Sequence, residues 1–530
     1  MQHGFESLLP PLVAIALAIL TRRVLLPLAA GAFIGAAILT SADADANWLD
    51  CGYLFAASLW KSVWDFDHLQ TLAFTLLLGA MVGVMEFGGG IRALILMLSR
   101  RIQSRCGAQV MIALSGLAIF FDDYANTLLI GGTMRSTVDR YGISRAKLAY
   151  LVDSTAAPVA GLSVVSTWTA IEISYMADGL QAAGITDPSA AFALFLESIP
   201  YRFYPVLAIV MVLLVSATGR DFGPMRAIEQ RRFDEGNRLL TDAAASSSNG
   251  ASPRLWLAAV LPILSCLTAI LTVLILTGRQ SATITESMTG IRAAVEILGN
   301  GNSYLALISG GAVGLALALC SHLALADCGP RRLFEGVYRG AMQMMPAMLI
   351  LWLAWALSAM TQQDALDTGG YLASILSERL DPRLLPSAVF LISGFVAFST
   401  GTSWGTMAIL TPLSITLSLS LDPTSDPSGA ICLATAGSVL AGAILGDHCS
   451  PISDTTVLSS RSSGCDHLQH VQTQMPYAIV VAIVAVLCGC MPAAIGVSPW
   501  LLLTAGSIVL AIIVRVWGQT PELKKLPPEL

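Results

Sequence analysis

Five aspartates lie within strongly apolar stretches of this chain, where a carboxylate needs a specific reason to be present. They are Asp122, Asp123, Asp153, Asp447 and Asp454. A charged side chain at the centre of a bilayer costs roughly 2.5–3.5 kcal/mol on insertion scales, so such residues usually pair, bind a cation or line a water-filled cavity. The polar residues near them are hard oxygen donors apart from one imidazole: Asn126, Thr127, Ser154, Thr155, Ser403, Thr406, His448, Ser450 and Thr455. This oxygen-rich, sulfur-poor set suits Na⁺ or another hard cation better than a transition metal.

Part of this set belongs to a segment that occurs twice. FFDDYANTLLIGG begins at Phe120 and TGTSWGTMAILTP begins at Thr400, a constant offset of 280 residues. Each copy is followed by a second polar interruption, DSTAAPVAG from Asp153 and GDHCSPISDTT from Gly446. Two halves that each carry two polar segments interrupted by Gly or Pro are typical of secondary transporters built from inverted repeats.

The composition of the chain indicates a membrane protein. Of its 530 residues, 55% are hydrophobic and 12% are charged, which is about half the charged fraction of a soluble protein. The net charge of −6, without a basic face, argues against nucleic acid as a partner. Ten scattered cysteines, none in a CxxC pair, indicate packing residues and not a disulfide or metal framework. The loops contain no GxxxxGK[ST] sequence, so we expect no ATP hydrolysis and no enzyme activity.

Hydrophobic runs predict eleven membrane spans in an all-α polytopic protein. They lie at about 8–21, 24–40, 70–88, 148–175, 201–218, 255–277, 303–327, 340–360, 429–460, 476–493 and 496–515. Two further apolar stretches, 107–134 and 386–418, carry the repeated motif. Basic residues flank both ends of 107–134, so we expect it to enter from the cytoplasm and return there, and its counterpart to do the same from outside. The predicted fold is an inverted-repeat transporter with two re-entrant hairpins and two broken transmembrane helices.

The charge pattern and the repeat divide the chain into four parts. Residues 1–218 form the first repeat, 219–253 a polar and partly flexible cytoplasmic linker, 254–493 the second repeat, and 494–530 an extra span with a cytoplasmic tail. The basic flanks predict an N-terminus outside and a C-terminus in the cytoplasm. The stretches 91–105 and 371–380 are short and amphipathic, which predicts interfacial helices beside the hairpins.

Proline marks the two predicted broken spans. Breaks at Ala157-Pro158 and at Ser450-Pro451 would free backbone carbonyls, which a membrane tolerates only where they face protein, water or an ion. Half-helix ends add their dipoles, with carbonyl ends favouring cations and amide ends favouring anions. Two hairpin tips and two breaks that meet at mid-membrane would form one shared site.

Structural explanations stay open for single residues. Asp122 either faces the site or caps the backbone of its own hairpin. His448 suits a hydrogen-bonded neighbour of the site better than a ligand. Trp168 and Glu172 are candidate entrance residues, although tryptophan more commonly lies at the membrane interface. No arginine lies clearly at site depth, which disfavours a dicarboxylate substrate.

The longest motifs resemble a known family. FFDDYANTLLIGGTMR, LAYLVDSTAAPVAGLSVVSTW, GRDFGPM, GTSWGTMAILTPL and GDHCSPISDTTVLSS occur in this order and resemble the NhaC-type Na⁺/H⁺ antiporters of the ion transporter superfamily. The resemblance covers roughly residues 70–460 and implies a bacterial inner-membrane protein that exchanges Na⁺ for H⁺. It leaves the substrate open, because the family also includes carriers that move organic acids or amino acids with Na⁺.

The favoured hypothesis is a Na⁺/H⁺ antiporter without a resident cofactor. Na⁺ and H⁺ would compete for Asp123 and Asp153 of the first repeat and for Asp447 or Asp454 of the second. A carboxylate that must lose its proton before it binds Na⁺ enforces exchange. The alternative is a Na⁺-coupled transporter of a small organic acid or amino acid, and a passive channel suits two opposed hairpins less well. The lipid bilayer surrounds the protein in either case, and a homodimer stays open.

Overall fold

The computed structural model is all-helical over the residues that it describes. These are residues 4–521 except 22, 24, 42–46, 100–101, 240–253, 282–296, 298–300, 326–328, 363, 369–370, 372–373, 376–380 and 423. Within them, the one extended pairing is an isolated antiparallel bridge between Asp221 and Gln519. The prediction of an all-α polytopic membrane protein is confirmed.

The described helices fall into two groups, separated by the undescribed segment 240–253 of the predicted linker. The first group is α1 Leu9–Thr21, α2 Leu25–Ser41, α3 Trp48–Trp64, α4 Phe66–Phe87, α5 Gly90–Ser99, α6 Arg105–Ala118, α7 Asp123–Arg140, α8 Arg145–Ala160, α9 Thr169–Ala182, α10 Pro188–Ser198, α11 Phe203–Thr218 and α12 Gly223–Leu239. The second group is α13 Leu257–Ser281, α14 Ser303–Leu325, α15 Pro330–Gln343, α16 Met345–Thr361, α17 Leu385–Thr400, α18 Ser403–Leu421, α19 Ala430–Cys449, α20 Asp454–Ser463, α21 His467–Ala485 and α22 Pro499–Trp517.

The number of helices able to cross a membrane is smaller than the eleven spans predicted. Nine described helices are long and apolar enough, and a pair bent by 43°, Ser189–Tyr201 and Phe203–Thr218, makes ten at most. The predicted spans 8–21 and 24–40 correspond to α1 and α2, which are only 13 and 17 residues long. Both arms of the second hairpin are among the nine, with 19 residues each. Its re-entry into the membrane therefore stays a prediction.

Both copies of the repeated motif form helical hairpins with similar tips. In the first, α7 begins after Asp122, whose backbone angles are φ −158° and ψ 126°. In the second, α18 begins after Thr402, with φ −150° and ψ 126°. Gly401 closes this second tip with a left-handed φ of 72°, and a Cβ there would lie 2.6 Å from the carbonyl oxygen of Ile452. The offset of 280 residues thus holds at the tips, while the inversion of the repeats stays a prediction.

The two broken spans differ in how they are interrupted. Pro158 lies inside α8, which continues to Ala160, so the predicted break at Ala157-Pro158 is wrong. A proline near the end of a helix removes one N–H donor and bends the chain, but it does not have to end the helix. The chain leaves the helical path only at 161–168, before α9 begins. The second break, at Ser450-Pro451, is observed between α19 and α20.

Two other predicted stretches are packed more firmly than expected. Half of the predicted linker 219–253 forms α12, and Asp221 just before it makes a buried ion pair with Lys147. The segment 240–253 lies outside the described residues. In place of an interfacial helix at 91–105, α5 buries Ile91 and Ile95 in the core, because its apolar face contacts α7 and α13. Most of the predicted interfacial stretch 371–380 is also outside the described residues.

Small residues allow the hairpins to approach the broken spans closely. A Cβ at Gly446 of α19 would lie 2.3 Å from the carbonyl oxygen of Gly394 in α17. A Cβ at Gly116 of α6 would lie 2.2 Å from Oγ1 of Thr155 in α8. Because glycine has no side chain, these helix pairs approach closely and gain dispersion contacts that drive helix association in a membrane. Each hairpin is thereby held against one broken span of its own half.

Candidate functional site

The hairpin tips and the breaks meet in the protein interior. The ring of Trp168, next to the first break, lies 4.8 Å from the ring of Trp404 at the second tip. The backbone N–H of Thr167 donates a hydrogen bond of 2.9 Å to the carbonyl oxygen of Phe121 at the first tip. Both tryptophans are buried, so the interfacial position considered for Trp168 is wrong. Segments from both halves of the chain therefore contact one another at these tips.

Asp153 is the most extensively bonded carboxylate of this region. It lies in α8 and accepts hydrogen bonds from Thr456 (3.2 Å) and Ser459 (2.9 Å) of α20 and from Gln474 (2.5 Å) of α21. The Nε2 atom of His470 lies 3.4 Å from its Oδ2. Asp153 is fully buried, and all four of these partners belong to the second half of the chain.

Asp447 occupies the corresponding place at the end of α19. Its Oδ2 accepts hydrogen bonds from Ser403 at the second tip (3.2 Å) and from Thr455 of α20 (3.4 Å). Its Oδ1 is buried and accepts no hydrogen bond from the described residues. The backbone carbonyl of Asp447 accepts from Thr456 at 3.0 Å. Thr456 therefore contacts the carboxylate of Asp153 and the backbone at Asp447, which links the two broken spans.

The first tip contributes two neighbouring aspartates with different roles. Asp122 caps α7, because its Oδ1 accepts a 2.6 Å hydrogen bond from the N–H of Ala125. This agrees with the capping role considered for it. Asp123 is fully buried, and neither of its carboxylate oxygens accepts a hydrogen bond of normal geometry from the described residues. Its carboxylate is thus available to a cation or a proton.

Asp454 connects the cluster to the molecular surface. Unlike the other four aspartates it is exposed. Its Oδ2 accepts a 2.5 Å hydrogen bond from the hydroxyl of Tyr124 in α7, and its Oδ1 accepts from the N–H of Thr455. One member of the carboxylate cluster is therefore already accessible from outside the protein.

The hydroxyl groups of several predicted oxygen donors donate hydrogen bonds to nearby backbone carbonyls. The hydroxyls of Thr155, Thr406 and Ser450 donate to the carbonyls of Leu151, Thr402 and Phe398, respectively. The amide of Asn126 donates to Gly116 and Ile119 and so joins the two arms of the first hairpin. The buried hydroxyl of Thr127 has no hydrogen-bond partner among the described residues, and Ser154 is buried next to Asp153 in sequence. These residues mostly shape the site, and only their oxygen lone pairs remain for a cation.

His448 has one partnered and one unpartnered ring nitrogen. Its Nδ1 lies 2.9 Å from the hydroxyl of Tyr204 in α11, and its buried Nε2 makes no hydrogen bond with the described residues. Its backbone carbonyl accepts a 2.9 Å hydrogen bond from Gln474, the same amide that contacts Asp153. This fits the prediction that His448 is a hydrogen-bonded neighbour of the site.

Four residues that bind Asp153 were not singled out from the sequence. Thr456 and Ser459 are three residues apart in α20, and His470 and Gln474 are four apart in α21, so each pair projects from one helical face. The signal was present in the polar sequence HLQHVQTQ that precedes Pro476, because such a sequence is unusual next to an apolar span.

A buried arginine corrects another expectation. Arg202 lies at the bend between α10 and α11 and is fully buried. It pairs with Glu172 of α9 (Nη1 to Oε2, 2.8 Å) and donates to the carbonyl oxygen of Gly161 in the first break. Because Arg202 contacts the first break, the expectation that no arginine lies clearly at site depth is wrong. Its guanidinium neutralises Glu172 and donates to a carbonyl that the break frees from the helix.

The charge of the cluster is not balanced by cationic side chains. In the described part of the chain, no lysine or arginine forms an ion pair with Asp122, Asp123, Asp153, Asp447 or Asp454. Nor do three or more His, Cys, Asp or Glu side chains converge there as a transition-metal site would require. Hydroxyl, carbonyl and carboxylate oxygens form the available donor set, which suits a hard cation.

This fold and site define a class of protein. A multi-pass helical membrane protein with two hairpins, two broken helices and buried carboxylates at their junction is a secondary transporter. Residues 159–491 match the Na⁺/H⁺ antiporter family. An uncharacterized protein of Haemophilus influenzae is 32% identical over 479 residues, which cover 90% of this chain and 88% of that protein. The chain belongs to the Na⁺/H⁺ antiporter family and is a transporter, not an enzyme.

Other similarities are more local or concern the fold alone. A second protein of Haemophilus influenzae, an uncharacterized Na(+)/H(+) antiporter, is 34% identical over 21% of this chain and 23% of its own length. The malate-2H(+)/Na(+)-lactate antiporter of Bacillus subtilis is 32% identical over 22% of this chain and 24% of its own. The Alcanivorax borkumensis YdaH transporter has a TM-score of 0.55 and 16% identity, covering 96% of this chain and 98% of its own. This last likeness shows a shared fold.

Proposed function

We propose that the protein exchanges Na⁺ for H⁺ across the bacterial inner membrane. The observation that carries the proposal is a cluster of aspartates from both halves with no lysine or arginine ion pair among the described residues. Asp123 and Asp447 together have three buried carboxylate oxygens that accept no hydrogen bond from those residues. Uncompensated carboxylates are unstable away from water, so each must carry a proton or hold a cation.

Competition for the same oxygens would couple the two ions. Asp123 and Asp153 of the first half, with Asp447 or Asp454 of the second, are the proposed carriers. A protonated carboxyl has lost the negative charge that attracts Na⁺, and a bound Na⁺ disfavours protonation, so the two ions exclude each other. Inward proton flow would then drive outward Na⁺ flow, with the two halves alternating access to the site.

The proposed Na⁺ site lies where the second tip meets the second break. Asp447 supplies an Oδ1 that is unpartnered within the described part of the chain, and Ser403 and Thr455 place hydroxyl oxygens beside its Oδ2. Hydroxyls that donate to a carboxylate keep lone pairs for a cation on the other side. The proposed orientation follows the charge pattern, with the N-terminus outside and the C-terminus in the cytoplasm.

A second candidate function is the exchange of a small organic acid or amino acid together with Na⁺. The observation that favours it is Arg202, a buried guanidinium that contacts the first break and whose Nε is unpartnered within the described residues. An organic carboxylate could replace Glu172 as its partner by forming bidentate hydrogen bonds. The name of the Bacillus subtilis relative supports testing malate and lactate.

Purified protein in proteoliposomes separates the two candidates. An outward-directed Na⁺ gradient, applied without any organic solute, should acidify the lumen as Na⁺ leaves in exchange for H⁺, as reported by a trapped pH dye. Proton movement that appears only after malate, lactate or an amino acid is added would refute Na⁺/H⁺ exchange and support the second function. Binding of Na⁺ should also weaken as pH falls, up to about tenfold per pH unit for each competing proton.

A further inference from the structure

One face of α9 carries buried polar atoms that make no hydrogen bond of normal geometry with the residues that the structure describes. They are Nε1 of Trp168, Oε1 of Glu172, the hydroxyl of Tyr175 and Oδ2 of Asp178, all on side chains at least nine-tenths buried. Spacings of four, three and three residues place them along one side of a helix. These four side chains form a row, the polar file of α9, which extends about 15 Å along the helix axis, since each residue adds about 1.5 Å.

The Trp168 end of the file reaches the carboxylate cluster. The indole of Trp168 faces Asp123 and packs against Trp404 of the second hairpin. At this end the polar face of α9 therefore contacts both tips. The next member, Glu172, is neutralised by Arg202, so the file does not add net charge near the cluster.

The Asp178 end of the file reaches the surface. Asp178 lies 4.0 Å from His68 at the start of α4, and the side chain of His68 is 19% exposed. The imidazole of His68 stacks on Trp355 of α16 at 3.7 Å, and Trp355 donates to Ser174 of α9. The aromatic side chains thus form the walls beside the polar face, and His68 lies at its opening.

The file leads away from the side on which Asp454 is exposed. Arg145 at the start of α8 donates to the carbonyl oxygen of Ser463 at the end of α20, so α20 lies beside the α8 half of the first broken span. The α9 half lies beyond the break. Asp454 and the polar face of α9 therefore approach the cluster from opposite sides of that break.

A close contact closes the file at its Asp178 end. Gly179, on the same face of α9, lies against α18. A Cβ added to Gly179 would be 3.0 Å from the Cα of Pro412 in α18. The carbonyl oxygen of Gly179 also accepts a 3.0 Å hydrogen bond from Thr416 of α18. Movement of the second hairpin would release this contact.

Bonding requirements indicate what occupies the file. A polar atom without a partner costs several kcal/mol inside a membrane, and four in a row on one helix face are satisfied most simply by ordered water. We propose that the polar face of α9 lines a water-filled path between the cluster and the predicted outer surface, and that α18 is its gate. The inference rests on the proposed function only for the identity of the ion, which is Na⁺ or H⁺.

Cysteine accessibility tests the path directly. In a transport-active full-length background with all ten cysteines replaced, Tyr175→Cys should react from outside with a small water-soluble methanethiosulfonate during turnover. Ile173→Cys, two residues away, is equally buried but points to the opposite face of α9, so it should not react. Equal reactivity, or none at Tyr175→Cys in a protein that still transports, would overturn the proposal.

Milder variants keep the test independent of folding. Tyr175→Phe and Asp178→Asn preserve shape, so they should bind Na⁺ in detergent within about twofold of the wild type while transport slows about tenfold. Normal transport by both variants would overturn the proposal. If the wild type fails to exchange Na⁺ for H⁺ while Tyr175→Cys still labels, the proposed function is refuted and the path holds for whichever solute the protein carries.

Discussion

Asp153→Asn removes a titratable charge from the proposed site with little change of shape. Oδ2 of Asp153 accepts hydrogen bonds from Gln474 and Thr456, and Oδ1 accepts one from Ser459. The amide group of asparagine must turn its NH₂ toward one of these partners. Ser459 can accept that hydrogen bond by rotating its hydroxyl, whereas the Gln474 amide nitrogen can only donate. We therefore expect the NH₂ to face Ser459 and the structure to persist.

The cost to folding can be bounded from these bonds. A hydrogen bond to a charged group contributes roughly 1.5–3 kcal/mol and one between neutral groups about 0.5–1.5, so each bond weakens by about 1 kcal/mol. The three bonds to Asp153 thus lose about 3 kcal/mol at most. Burial of a neutral amide in place of a carboxylate recovers part of this loss. Asp153→Asn should stay folded but lose coupled transport, because an amide cannot take up and release the proton that is exchanged for Na⁺.

Thermal unfolding in detergent and transport in proteoliposomes measure the two effects separately. The matched control is Asp422→Asn, since Asp422 is also buried but bonds to Thr424 in a turn away from the site. The control should transport like the wild type. Transport at the normal rate by Asp153→Asn would exclude Asp153 as the proton carrier, and a protein that no longer folds would show that more stability is lost than these three hydrogen bonds supply.

Two further pairs of substitutions test packing and charge. Gly131→Ala should abolish transport, because its Cβ would lie 2.2 Å from Oγ of Ser462 and separate α7 from α20, whereas Gly132→Ala faces open space and should transport normally; normal transport by both would contradict this close packing. Lys147→Met should lower the free energy of unfolding by about 3–5 kcal/mol, because it leaves the buried Asp221 unpaired, and adding Asp221→Asn should recover most of it in thermal melts. No recovery would show that the loss is due to packing.

The hairpins and the second break could be predicted because their signals are local. The repeat aligned Asp122 with Thr402, and both turned out to start a helix with nearly the same backbone angles. Polar residues in an apolar sequence carry a high cost, so Asp153 and Asp447 were conspicuous, and both lie where the broken spans contact the other elements.

The partners of those aspartates could not be predicted in the same way. Gln474 contacts Asp153 across 321 residues of sequence, and Arg202 reaches Gly161 through a bend between two helices. Such contacts depend on how helices pack and leave no periodic trace in one sequence. The helix α3 was missed because its composition is mixed, with Lys61 and several aromatic residues in a stretch too polar for a span. Local sequence determines the elements, while tertiary packing selects their partners.

The bonds around α20 have a consequence for alternating access. Although α20 belongs to the second half, it is bonded to the first: Ser459 to Asp153, Asp454 to Tyr124, and the carbonyl of Ser462 to the guanidinium of Arg135 at 2.6 Å. In contrast, α19 packs closely on α17 of its own half. Any rotation of one half against the other must therefore bend the chain at the second break or release these bonds. Because Asp153 and Asp454 are acceptors in them, a proton or Na⁺ that neutralises either carboxylate weakens the very bonds that resist the motion.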